Sequence, residues 1–118
     1  MNATSLAIPV QPDAGAIVGV DLAKNVFQLC VADAAWRPRE TQRLTRTQFE
    51  HWFANRAVSR VVMEACGSAH HWARWLAVLG IEVTLLPARY VRAYVKRNKT
   101  DAADAAALLE AARCADLH

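Results

Sequence analysis

The sequence predicts an α/β domain built on a mixed sheet of about five strands flanked by helices. Three observations carry that expectation. Short apolar runs that read as buried strands recur at residues 16–20, 59–63 and 81–86. Stretches with apolar residues at helical spacing lie between and after the later runs. The strand, helix, strand succession from Val61 to Leu86 is too long for a hairpin, so it should form a parallel, right-handed βαβ unit.

Residues 17–22 read as a buried strand, and residues 26–32 alternate as a second, with Ala23-Lys24-Asn25 as the turn. Residues 39–44 form a third, edge-like strand. Thr47-Gln48-Phe49-Glu50 fits a capping box and should open a helix that carries Phe49, Trp52 and Phe53 on one face and ends near Ala57. Strand returns at residues 61–64. Gly67-Ser68 breaks it, and Ser68 can cap a helix with a core stripe of Trp72, Trp75, Leu76 and Leu79 that Gly80 stops. Pro87 ends the strand at 81–86, and a basic helix and an alanine-rich helix follow. Three strands, helix, strand, helix, strand and helices is the element order of the ribonuclease-H-like (RuvC-like) fold. In that order the first strand is central and pairs with the fourth, which sets Asp21 beside Glu64.

A chain of 118 residues can bury one modest core, so residues 16–118 are expected to form one domain after a flexible leader over residues 1–15. No window approaches the ~20 unbroken apolar residues of a membrane span, and the leader lacks a secretory pattern. Cys30, Cys66 and Cys114 are an odd set without zinc-ligand spacing, which suits reduced thiols in a cytoplasmic protein. Four tryptophans are expected in the core, except Trp36, which precedes Arg37-Pro38-Arg39 in a hairpin and should be at the surface.

The chemistry lies in four acids. Asp21 and Glu64 end buried strands, where an unpaired carboxylate is costly. Asp101 and Asp104 stand three apart in a helix former, about one turn from each other on one face. Carboxylates gathered this way repel unless a cation lies among them. Magnesium takes hard oxygen ligands, one or two carboxylates per ion with water and phosphate oxygens completing the shell, so four carboxylates suit two ions. Asp21, on the central strand, is assigned as the bridging ligand. Charge elsewhere is uneven: between Glu82 and Asp101 there is no acid, while Arg89, Arg92, Lys96, Arg97 and Lys99 leave the rest of the chain at a net −2. With Tyr90 and Tyr94 among those cations, the segment can hold phosphates while a ring packs on sugar or base; a solvated helix face is the plainer alternative. Lys24 can meet a phosphate or neutralise a carboxylate. Of His70 and His71, at most one can face the acids, and both read as surface residues.

Three blocks, Ile17-Val-Gly-Val-Asp21-Leu-Ala-Lys24-Asn25, Val62-Met-Glu64-Ala-Cys-Gly67-Ser-Ala-His70-His71-Trp72-Ala and Tyr94-Val-Lys96-Arg-Asn98-Lys99-Thr100-Asp101-Ala-Ala-Asp104-Ala, resemble the amino-terminal domain of IS110-family insertion-sequence transposases, relatives of the Piv DNA invertase. The resemblance covers about residues 16–115. It implies a DEDD tetrad, here Asp21, Glu64, Asp101 and Asp104, that binds Mg2+ or Mn2+ and cuts or rejoins DNA at insertion-sequence ends. It implies DNA as substrate and a structured guide RNA as partner. Family members continue through a helical linker into a domain that supplies a catalytic serine, so residues 16–118 are expected to be truncated before both. Ser5, Ser59 and Ser68 do not fill that role.

Three functional classes follow: a DNA-processing enzyme domain, a non-catalytic nucleic-acid-binding or dimerising remnant that pairs with itself or a full-length copy, and an actin-like ATPase. The last is weakest, because the turn after Asp21 has no glycine for phosphate approach. Without a partner domain, the alanine-rich helix is expected to expose Leu108, Leu109 or Cys114.

Overall fold

The computed structural model describes residues 15–23, 25–94 and 101–116, with the side chains of 101–103 and 116 outside the description. Among the described residues the elements follow one another as β1 (Ala16–Leu22), β2 (Val26–Ala32), β3 (Pro38–Thr45), α1 (Arg46–Trp52), β4 (Val58–Glu64), α2 (Gly67–Val78), β5 (Glu82–Leu86), α3 (Ala88–Arg92) and α4 (Asp101–Asp116). The strands form one sheet in the order β3-β2-β1-β4-β5. β1 is central, antiparallel to β2 and parallel to β4, while β3 pairs antiparallel with β2 and β5 parallel with β4. This is the mixed five-stranded α/β architecture that the element order predicts.

Alternation along the strands builds two cores, one on each side of the sheet. Val18, Val20, Val61 and Met63 pack with Phe27, Phe49, Phe53, Trp72 and Leu76 under α1 and α2. Ile17, Cys30, Ala32 and Val62 point the other way, against Val91 of α3 and Ala105, Leu108, Leu109 and Ala112 of α4. Phe49 is the hub of the first core: its fully buried ring meets Phe27, Phe53 and Trp72 edge-on at centroid distances of 4.6, 5.0 and 5.1 Å. Such pairs add about 0.5–1.5 kcal/mol each beyond the area they bury.

Several local expectations are corrected. The capping box belongs to Thr45, not Thr47: the Thr45 hydroxyl accepts from the Gln48 amide at 3.2 Å, and Gln48 Oε1 accepts from the Thr45 amide at 2.9 Å. Pairing of β3 with β2 runs through Thr45 opposite Val26, so the chain leaves the sheet two residues earlier than the second Thr-x-x-Glu pattern suggests. Ser68 does not cap α2. Cys66 takes that position in extended backbone, because the chain is still tied to β5 through the Ala65 amide and the Leu86 carbonyl at 2.8 Å.

The stripe of α2 is Ala69, Trp72 and Leu76, with Trp75 half-buried, and Leu79 lies 51% exposed. A Schellman turn explains this: the Ile81 amide bonds back to Leu76 and the Gly80 amide to Ala77, with Gly80 at φ 84°. The turn buries Ile81 against Leu76's core and swings Leu79 outward. Of Leu108, Leu109 and Cys114, any of which α4 was expected to expose, the two leucines are 2% and 4% accessible, because α4 lies flat on the second face of the sheet, and Cys114 is partly covered.

The β2–β3 hairpin turns on Asp33, whose carboxylate accepts from the backbone amides of Ala35 and Arg37 at 2.9 and 3.0 Å. Those bonds, led by the Arg37 amide, hold its carboxyl below the usual carboxylate range. Trp36 closes the turn at φ 67°, an uncommon backbone for a bulky residue. Its ring packs against the second core with the Arg60 guanidinium 5.5 Å from the ring centroid, so this tryptophan is half-buried and not at the open surface.

One glycine fixes how near α4 comes. A Cβ on Gly19 would stand 2.5 Å from the Ala105 carbonyl oxygen and 3.0 Å from Leu109 Cγ. Helix backbone therefore rests directly on the central strand. Gly19→Ala is expected to destabilise the fold by about 1–3 kcal/mol in urea unfolding, since backbone cannot give way like a flexible side chain. Gly67→Ala, where a Cβ meets nothing within 4 Å, is expected to be neutral or mildly stabilising in the same assay.

Candidate functional site

β1 and β4 run parallel with Val20 opposite Met63, so Asp21 and Glu64 each follow that pair by one residue. Both stand at the carboxyl ends of neighbouring strands, where open α/β sheets place their ligands. Gly19 and Val62, two residues before them, belong to the α4 face, and alternation puts both carboxylates on that face too. Asp104 arrives from the helix: it directly precedes Ala105, the residue whose carbonyl lies over Gly19.

These three acids line one cleft of about 180 Å³, with Val91, Arg92 and Leu108 as the other walls. Asp21 and Asp104 are half-buried and Glu64 is exposed. Asp101 lies three positions before Asp104 in α4, and its side chain is outside the described residues. Among the described residues, no three histidine, cysteine or carboxylate side chains are grouped tightly enough to form a finished metal cage.

The donor set nevertheless fits a hard divalent ion. Among the described residues, every candidate ligand in the cleft is a carboxylate, and no histidine or cysteine lines it. At roughly 30 Å³ per water, the cleft has room for an ion that keeps part of its hydration shell, as magnesium does. Val91 and Leu108, both buried, form an apolar wall that strengthens charge interactions inside. Among the described lining residues, three carboxylates against the guanidinium of Arg92 leave the balance negative.

The expected basic helix is shorter than the sequence suggests. α3 covers five residues and gives way to a turn at Ala93 and Tyr94; Lys96, Arg97 and Lys99, like Lys24, lie outside the described residues. Within reach are Arg92, on the cleft wall, and Arg89, whose guanidinium lies 5.9 Å from the Tyr90 ring centroid. Tyr90 and Tyr94 are 48% and 40% exposed. Tyr94 leans on α4, where its hydrogen bond with the Cys114 thiol pushes the phenol pKa up. Nearby, the Arg113 guanidinium bonds to Glu110 and holds its carboxyl below the usual range. His70 and His71 are exposed on α2, His71 edge-on to Trp72 at 5.0 Å, and neither lines the acidic cleft.

Sequence reasoning missed a second cleft. About 340 Å³ in volume, it is lined by Leu22, Ala23, Asn25, Phe27, Arg46, Ser68 and Trp72. Leu22 and Phe27 belong to the other core face, so this cleft lies across the sheet from the acids. Its lining comes from three separate stretches of chain, residues 22–27, Arg46 and residues 68–72. The one available signal was Arg46, the first helical residue after the Thr45 cap.

The family model described as Transposase, for DEDD transposases of the IS110 type, matches residues 18–118. The chain is 46% identical over 101 residues to "Transposase for insertion sequence element IS1111A" of Coxiella burnetii, a match that covers 86% of this chain and 28% of that one. It is 45% identical over 95 residues to "Probable family 20 transposase" of Pseudomonas aeruginosa, covering 80% and 28%. To "Transposase for insertion sequence element IS1328" of Yersinia enterocolitica it is 34% identical over 102 residues, covering 86% and 30%. The chain thus spans under a third of the length of these curated relatives. Because the family match runs from the central strand through the whole of α4, the chain belongs to the IS110-type DEDD transposases, a ribonuclease-H-like domain family.

Proposed function

We propose that this chain is the divalent-metal-dependent strand-cleaving part of a transposase, working in the cytoplasm on DNA at insertion-sequence ends. What supports the reading is the single cleft that takes one carboxylate each from β1, β4 and α4. Asp21, Glu64 and Asp104 would hold Mg2+ or Mn2+, with Asp101 as the fourth carboxylate of the set. When bound, such an ion supplies Lewis-acid activation of an attacking water or 3′-hydroxyl and neutralises charge on the phosphodiester.

The chain's own residues prepare that chemistry. Asp21 stands on a strand hydrogen-bonded on both sides, which positions a ligand more rigidly than a loop does. Val91 and Leu108 keep one wall of the cleft apolar. Arg92 offers a fixed positive charge for a phosphate beside the acids, and Arg89 with Tyr90 extends the contact along α3. In this proposal Lys24, Lys96, Arg97 and Lys99 add to the nucleic-acid surface, and a structured guide RNA chooses the DNA. Strand transfer draws on a serine domain of the kind the family resemblance implies, in the same polypeptide or in a full-length copy joined to this one.

One observation favours a second reading. Three described acidic, histidine or cysteine side chains do not close into a metal cage. A chain left in that state would hold nucleic acid or dimerise without cutting.

Calorimetric titration with Mg2+ and Mn2+ separates the two. Saturable binding by the parent, lost in Asp21→Asn/Asp104→Asn of unchanged circular dichroism, is the expected result; a folded parent that binds neither ion leaves the non-catalytic reading. Arg92→Ala is expected to weaken DNA binding across sequences and to reduce the slope of log affinity against log salt by about 1, measured by fluorescence anisotropy.

A further inference from the structure

The second cleft, on the α1 and α2 side of the sheet, has a lining that suits an anion carried on an apolar body. Its polar members are Asn25, Arg46 and Ser68, and among the described residues no carboxylate lines it. Phe27 and Trp72, 6% and 3% exposed, close its floor together with Leu22. The Arg46 guanidinium stands 5.3 Å from the Trp72 ring centroid, a cation–π contact that holds it over that floor. Among the described residues no carboxylate pairs with Arg46, whereas Arg37, Arg39, Arg56, Arg60 and Arg113 each meet one. At about 340 Å³ the cleft lies in the range of roughly 300–1,000 Å³ that small-ligand sites occupy, and it is larger than the acidic cleft of about 180 Å³.

The donors match a phosphate. Arg46 offers N–H groups in a planar fork and Ser68 a hydroxyl, both suited to phosphate oxygens. Asn25 can donate and accept, as a base edge requires, and the apolar floor gives a base or sugar a surface to leave water against. Position decides what carries that phosphate. Leu22 directly follows Asp21 in β1, and Ser68 lies in the first turn of α2, four residues after Glu64. The two clefts therefore open at the same carboxyl end of the sheet, on opposite faces of one strand. A nucleic-acid strand with a phosphodiester at the acids has only to cross the end of β1 to set a neighbouring nucleotide against Arg46.

We propose that this cleft binds one nucleotide of the DNA strand that the acidic cleft engages, its phosphate on Arg46 and Ser68 and its base or sugar against Leu22 and Phe27. The identity of the strand rests on the DNA-cleaving function proposed above; the phosphate site itself makes no use of the acids.

Amide chemical shifts of the full chain, titrated with single-stranded hexathymidylate in EDTA, test it. The amides of Leu22, Asn25, Arg46 and Ser68 are expected to move. Arg46→Ala is expected to weaken binding about tenfold and Ser68→Ala about threefold, as losing a charged and a neutral hydrogen bond implies, with the fold of each checked by circular dichroism. Asp21→Asn/Asp104→Asn is expected to bind at least as tightly as the parent. Shifts confined to the acidic cleft and Arg92, or unchanged affinity in either folded single variant, would overturn the proposal. So would thymidine binding as tightly as thymidine 5′-monophosphate, which would remove the phosphate from the site. Hexauridylate binding more than about tenfold tighter than hexathymidylate would assign the cleft to RNA, whose 2′-hydroxyls DNA lacks, and overturn it too. Without a divalent ion in the titration, a failure of metal binding shows only in calorimetry and a failure of the nucleotide cleft only in these amides.

Discussion

The Ala105 carbonyl of α4 lies where any side chain on Gly19 would stand. That contact brings helix backbone onto the central strand, with small residues Ala105, Ala111 and Ala112 and the larger Leu108 and Leu109 buried around it. Two residues beyond Gly19 the strand presents Asp21, and one residue before Ala105 the helix presents Asp104. A wider helix–strand spacing would part the two carboxylates. The same alanines that make α4 a strong helix former also let it lie close, so propensity and packing favour one geometry.

Sheet register supplies the second constraint. Parallel pairing of β1 with β4 carries Asp21 and Glu64 to the same edge, and pleat alternation turns both toward α4. A slip of one residue would send either carboxylate into the aromatic core around Phe49, where burying a charge is costly. Hydrophobic alternation in Val18, Val20, Val61 and Met63 therefore fixes the acids as firmly as it fixes the core.

Much of this was legible in the sequence. Apolar runs and the helical stripes gave all five strands, because each pattern is local and each element buries one face, and the order of elements gave the central place of β1. Asp21 and Glu64 stand out in the sequence as carboxylates at the ends of apolar strands, and Asp104 as the partner of Asp101 three residues earlier in a helix former. Less legible were features decided by neighbours in space. Thr45 and Thr47 both satisfy a capping pattern, and strand pairing chose between them. Leu79 has the right helical spacing for the core, yet a Schellman turn swings it out. Trp36 is held half-buried at a positive φ by Arg60 and the second core, contacts from a strand more than twenty residues away. The placement of Val91 and Leu108 on the cleft walls, and the second cleft beside Arg46, depend on how distant elements meet, which no single window records.

The claim at the centre is that β1, β4 and α4 bring their carboxylates together to hold a hard divalent cation. Anomalous diffraction from crystals grown with manganese tests it most directly. The account predicts an anomalous peak in the cleft, bonded to Asp21 and to at least one of Glu64 and Asp104. Manganese bound only elsewhere, or a cleft crossed by an Arg92–carboxylate ion pair that leaves no room for the ion, would contradict it.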